Sequence, residues 1–96
     1  MEVGDYLIVR THSAGVFAGE FARKEGREVE LKNARRLWYW AGANSLSQLA
    51  MEGTQNPPDC KFPCPVAMVI LTEVIEILGT TSKAMESIKG VSVWKQ

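Results

Sequence analysis

Metal-binding and redox residues are scarce in this sequence. It has one histidine, His12, and two cysteines, Cys60 and Cys64. A lone histidine does not head a multi-histidine centre, and structural zinc sites draw on four ligands. The cysteines stand in C-x3-C spacing, not the C-x-x-C of a redox pair. They make no disulfide framework, and in a reducing compartment they are expected as free thiols. No metal and no cofactor is therefore expected. An excess of charge of either sign is also missing, with 11 acidic and 11 basic residues. That lacks the global basic excess of a non-specific nucleic-acid binder. No apolar run approaches the ~18 residues of a spanning helix. The acidic opening Met1-Glu2-Val3-Gly4-Asp5 has no signal-peptide pattern. The reading is a cytoplasmic protein without membrane association. P-loop, Rossmann and Ser–His–Asp patterns are absent as well. Glu73 and Glu76 would face opposite ways on a strand, so they form no carboxylate pair. No catalytic residue is assigned, and an enzyme is not expected.

What the chain does hold fits one small domain, residues 1–96. Apolar residues are 46% of the sequence and charged residues 23%, enough for a core and unlike a disordered chain. A domain of this size has little stability in reserve, which favours a homo-oligomer. Tyr6 to Thr11 is rich in β-branched and aromatic residues and reads as a strand. Val16 to Arg23 is a second strand, with Gly19 marking a bulge or a close backbone approach. Lys24-Glu25-Gly26-Arg27 is a hairpin turn, and Glu28 to Lys32 alternates as a third strand. Asn33 is a turn candidate before a fourth strand, Ala34 to Trp40. Ser45 with Gln48 forms a capping box for a helix of about two turns that Gly53 stops. Prolines 57, 58, 63 and 65 keep the following segment a loop. Val66 to Leu71 and Glu73 to Leu78 are one long bent strand, or two with a kink near Thr72. Gly79 to Ser82 caps a second short helix, with Met85 and Ile88 on its apolar face and Gly90 at its end. Val91 to Trp94 is an extended tail that docks Trp94. The expected fold class is α+β, a small strongly bent antiparallel sheet or partly open β-barrel with two short helices.

The densest stretch runs from Asn33 to Ala50. It holds Arg35, Arg36, Trp38, Tyr39 and Trp40, and no acid occurs between Leu31 and Met51. A guanidinium is a planar fork of donors suited to phosphate or carboxylate. The aromatics suit stacking on a nucleobase, or equally the filling of a core. Strand alternation separates Arg36, Trp38 and Trp40 from Arg35, Leu37 and Tyr39. The first set is assigned to the ligand, because Leu37 and Tyr39 make the more ordinary core. The helix start at Asn44 and Ser45 offers free N–H groups to an anion unless capping satisfies them. His12, in a polar loop, is a further candidate contact, though an exposed loop histidine is the commoner case. The candidate ligand-binding residues are thus Arg35, Arg36, Trp38, Trp40, Asn44, Ser45 and His12.

Several segments carry a resemblance. They are Val3-Gly4-Asp5-Tyr6 through Val9-Arg10-Thr11, Ser13-Ala14-Gly15-Val16, Arg23 to Val29, Asn33-Ala34-Arg35-Arg36 with Trp38-Tyr39-Trp40, and Ser45-Leu46-Ser47-Gln48-Leu49-Ala50. With Cys60-Lys61-Phe62, Leu71-Thr72-Glu73 and Ile75-Glu76-Ile77, the chain resembles a family of short phage and prophage proteins catalogued as a domain of unknown function. The resemblance implies a viral source and supplies no catalytic residues. The leading expectation is a non-enzymatic sponge that sequesters a nucleotide-type immune signal, a cyclic oligonucleotide or an ADP-ribose derivative, inside the host cell. The alternatives are a protein-interaction module using the aromatic strand as a hot spot, with a host or phage protein as partner, and a single-stranded nucleic-acid-binding barrel.

Overall fold

The computed structural model describes residues 1–95. Its five strands are β1 (Tyr6–Thr11), β2 (Val16–Glu25), β3 (Glu28–Arg36), β4 (Val66–Leu71) and β5 (Val74–Gly79). All neighbours pair antiparallel, in the order β4-β3-β2-β1-β5. Two helices, α1 (Leu46–Glu52) and α2 (Ser82–Gly90), and one 3-10 turn at Pro57–Asp59 complete the α+β domain.

The curvature of the sheet follows from one short connection. β4 and β5 occupy opposite edges, yet only Thr72 and Glu73 join them. Four interstrand spacings of ~4.8 Å would place the edges of a flat sheet about 19 Å apart. Three Cα steps reach at most about 11 Å. The sheet must therefore roll until its edges approach at this end. Hydrogen bonds from His12 N to Glu73 O (2.9 Å) and from Val74 N to Arg27 O (3.0 Å) pin the link. Among the described residues β4 and β5 do not pair, so the roll stays open as a partial barrel. The apolar run from Val66 to Leu78 is thus two strands, broken at Thr72–Glu73.

Rolling a sheet needs places to bend, and the β2–β3 ladder has two register shifts, between Ala18 and Glu20 and between Phe21 and Arg23. At the first, Gly19 faces β3 so closely that a Cβ on it would lie 3.0 Å from both Cα and Cβ of Ala34. Both expectations for Gly19, a bulge and a close approach, hold. Opposite it, Asn33 takes a positive φ of 48°, which asparagine tolerates better than most residues. Asn33 was expected as a turn ending a strand. It is instead an extra bulge residue within one continuous β3. The expected fourth strand, Ala34 to Trp40, is accordingly not separate. Its first three residues finish β3. The rest is an extended segment tied by Leu37 N to Val16 O (2.8 Å) and by a bridge from Tyr39 to Lys61. The ladder stops there because β2 begins at Val16 and offers no further partner.

β1 divides two cores. Tyr6, Leu7, Ile8 and Val9 are all buried, and alternation sends them to opposite faces. Leu7 and Val9 join Phe17, Phe21, Val29, Leu31, Ala34, Leu71 and Val74 inside the roll. Tyr6 and Ile8 pack outside it against Leu37, Leu49, Ala50, Phe62, Ile88 and Val91. The helices cover that outer face, and their ends match their sequence signals. Ser45 Oγ accepts from Gln48 N, and Gly53 ends α1 with φ 76° while its N–H reaches Leu49 O. Thr81 Oγ1 accepts from Ala84 N to start α2, whose Ala84 and Ile88 are buried. The tail also docks as expected, with Trp94 N donating to Phe62 O at 2.9 Å and Val93 bridging Phe62.

The close β2–β3 approach is testable by adding one methyl group. Gly19→Ala is expected to cost about 1–3 kcal/mol, the usual penalty for overpacking. Urea unfolding measures it, and an unchanged midpoint would contradict the tight fit.

Candidate functional site

The bulge at Asn33 decides where the two arginines go, because one extra residue exchanges the faces of a strand. Ala34 points into the roll, Arg35 toward the helices, and Arg36 toward the mouth of the roll beside Phe17. Neighbours in sequence thereby enter opposite environments.

Arg35 is 4% exposed. Its Nη1 donates to Ile88 O (3.1 Å) and Val91 O (2.8 Å), and its Nη2 to Phe62 O (3.0 Å) and Pro63 O (3.3 Å). The first two acceptors belong to the C-terminal end of α2, where carbonyls lack intrahelical partners and the dipole favours a cation. The guanidinium also lies over the Phe62 ring, 5.4 Å from its centroid. Nε is buried with no protein partner among the described residues. Burial holds the group below the ordinary guanidinium range, with Tyr6 and Cys64 opposing that shift more weakly. Burial likewise pushes the Tyr6 hydroxyl up to about 12, against a smaller opposite effect of Arg35. Arg35 was assigned to the ligand on the strength of its fork of donors. The structure corrects this, since four backbone carbonyls already occupy the fork.

Arg36 is exposed, and its guanidinium lies 4.6 Å from the centroid of the Phe17 ring. Among the described residues it forms no salt bridge, unlike Arg10 with Glu76 or Arg23 with Glu28 and Glu30. Trp38 is 65% exposed and Trp40 is half-buried. These three side chains, with Leu37 and the Ser13–Val16 loop, line one open cleft of about 270 Å³. Among the described residues the lining has one cation and no acid. Its loop is shaped by Thr11, whose Oγ1 accepts from Ala14 N (2.9 Å) and donates to Gly15 O (2.8 Å). Arg36, Trp38 and Trp40, grouped by alternation, line one cleft, but Leu37 of the other set lines it too and Trp40 also packs against the core cluster of Leu37. Leu37 is buried as expected, but Tyr39 is 51% exposed, because the chain has left the ladder and turned toward Lys61.

The remaining candidates lie elsewhere. Asn44 and Ser45 form a closed capping box. Ser45 Oγ accepts from Gln48 N at 3.1 Å, and Asn44 N donates to Gln48 Oε1 at 2.8 Å. Gln48 N and Asn44 N are thereby taken internally, and Asn44 and Ser45 lie outside the lining of the Arg36 cleft. His12 is exposed and faces Glu73, with Nδ1 3.5 Å from Oε2, and it does not line the cleft. Two contributors were not foreseen in the site, the Phe17 ring beneath Arg36 and the Ser13–Val16 loop. Alternation on β2 gives no sign of the first, since its partner lies across the ladder. A larger cleft of about 550 Å³ runs between Pro57-Pro58 and Ser92–Lys95. It lacks the combined guanidinium and indoles of the first.

Cys60 is buried and Cys64 exposed, and both are free. Cys60 Sγ lies among Ala41 O, Thr54 Oγ1 and Asn56 O, as a packing residue of the loop. Among the described residues no group of three His, Cys, Asp or Glu is arranged to hold a metal ion. Among the described residues no helix is long and apolar enough to cross a membrane.

The fold and cleft define a small α+β domain that offers an exposed cation between aromatic rings. By sequence, residues 4–88 match the family model described as a domain of unknown function, DUF6948. The chain belongs to that family, in keeping with the resemblance drawn from its motifs. No curated protein and no solved structure matches it.

The two arginines are separable by substitution. Arg35→Lys keeps the charge but not the fork, and should cost roughly 3 kcal/mol because one ammonium cannot reach the carbonyls of both the loop and the end of α2. In a domain of this size that lowers Tm by on the order of 15 °C. Arg36→Lys should change stability by less than about 1 kcal/mol. Thermal unfolding of both variants checks this, and equal losses would contradict the division of roles.

Proposed function

We propose that this protein is a non-enzymatic binding protein whose Arg36–Trp38–Trp40 cleft takes an anionic ligand with a flat ring, of the nucleotide type. The carrying observation is the meeting of an exposed guanidinium, without a salt bridge among the described residues, with two indoles in one cleft whose described lining has no acid. The Phe17 ring supports the guanidinium from beneath and leaves its N–H edges open to a phosphate, a geometry suited to charge-assisted hydrogen bonds. Trp38 supplies a free face for a base, where stacking contributes ~1–3 kcal/mol.

At about 270 Å³, the cleft is slightly below the ~300–1,000 Å³ usual for enclosed ligand sites. It suits one base and its adjacent phosphate, with the rest of a larger ligand outside or against a second copy in a homo-oligomer. With the resemblance to phage and prophage proteins, this leads to the specific reading of a sponge. It would sequester a cyclic oligonucleotide or ADP-ribose derivative in the host cytoplasm and so blunt anti-phage signalling. A second reading, a protein-interaction module, is favoured by the exposure of Trp38 and Tyr39 beside so shallow a cleft. Tryptophan, tyrosine and arginine are the residues enriched in interface hot spots.

Thermal shift against cyclic di- and trinucleotides and ADP-ribose derivatives tests the ligand reading. A ligand at ~100 times its Kd stabilises by ~2.7 kcal/mol, on the order of 10 °C here. Arg36→Ala and Trp38→Ala should abolish that shift while retaining the fold. No shift across the panel would overturn the nucleotide reading. Capture of a host protein that requires Trp38 would then support the second one.

A further inference from the structure

We propose that β4 is the homodimer interface of this protein, pairing antiparallel with β4 of a second copy to join the two sheets. β4 is an edge strand, bonded to β3 on one side only. Its sequence, Val66-Ala67-Met68-Val69-Ile70-Leu71, has no charged or polar side chain. Val66, Met68 and Ile70 are 45%, 51% and 42% exposed on one face. An open edge of this kind is a template for pairing, and monomeric proteins usually blunt it with charge, proline or a covering element.

The other edge strand differs in carrying a charge, although its Ile75 is 49% exposed. β5 carries Glu76, held by Arg10 Nε at 2.9 Å, and α1 packs against part of it. The contrast between the edges directs association to β4. It also favours a closed pair over an open chain of copies, because a pair consumes both free β4 edges.

A second copy fits β4 because the strand is self-complementary. In a two-fold antiparallel pairing centred on Met68, each Met68 faces its counterpart and each Val66 faces the partner copy's Ile70. Opposed residues then share a face, and apolar side chains meet with no like charges in the row. Lys32 stands beside Met68 on β3, one strand removed from the join, so the two lysines do not meet. The proposal is independent of what the Arg36 cleft binds, since none of these residues lines that cleft.

Sedimentation equilibrium on the full chain tests it, with Met68→Lys as the variant. Met68 is half-exposed, so lysine can be held there in the folded monomer. Two lysines placed opposite each other should raise the dimer Kd at least about tenfold. Register is read independently by Met68→Cys with Cys64→Ser. Self-opposed cysteines lie within disulfide reach and should cross-link on mild oxidation, whereas Met51→Cys in the same background should not. A dimer that Met68→Lys dissociates and Met68→Cys traps is the expected result. A monomer at all concentrations, a dimer indifferent to Met68→Lys, or a mass that keeps growing with concentration would each overturn it.

Discussion

Four backbone carbonyls from two distant parts of the chain converge on the guanidinium of Arg35, and the outer half of the fold depends on that meeting. Phe62 and Pro63 come from the proline-rich loop, and Ile88 and Val91 from the end of α2. Without a shared donor, Pro63 O and Val91 O would lose their bond and Phe62 O and Ile88 O would keep only one, from Trp94 N and Val91 N, which is costly in a buried site. The cation needs them equally. Among the described residues no carboxylate serves it as a counter-ion, and the helix end supplies partial negative charge. One side chain thereby fixes the loop, the helix and the tail against the face of β1 that carries Tyr6 and Ile8.

The same strand sends its next residue the other way. The bulge at Asn33 gives Arg35 to the core and Arg36 to the mouth of the roll, where Phe17 supports it and no acid neutralises it. A chain with no net charge thus displays a local, acid-free cationic spot next to exposed indoles. That contrast between a fully bonded arginine and an open one directs the binding proposal to Arg36, Trp38 and Trp40, and away from Arg35 and the helix start.

Much of this was legible in the sequence where the signal was local. The turn at Gly26, the Ser45–Gln48 cap, the stop at Gly53 and the start of α2 all depend on contacts within a few residues, and Tyr6–Thr11 was marked by its β-branched and aromatic composition. What required the structure was long-range. The acceptors of Arg35 lie between 27 and 56 residues away in sequence, so nothing beside Arg35 marked it as internal. Asn33 has the local character of a turn residue, and only a sufficiently long β2 opposite turns it into a bulge. The break at Thr72–Glu73 was visible, but not that it joins opposite edges of the sheet. Alternation did separate Arg36 from Arg35, whereas Leu37 and Trp40, past the end of β3, pack together in one cluster. It failed for Tyr39, beyond the point where the ladder ends.

The separation of the two arginines is tested most directly by nitrogen-15 NMR of their guanidinium groups. Arg35 should show resolved Nη protons that exchange slowly with water, because three of its four bonds are buried and the fourth is part-buried. Arg36 should show fast-exchanging, averaged Nη signals, and adding a bound nucleotide should move those signals and leave the Arg35 signals in place. Fast exchange at Arg35, or a ligand response at Arg35 and none at Arg36, would contradict the account.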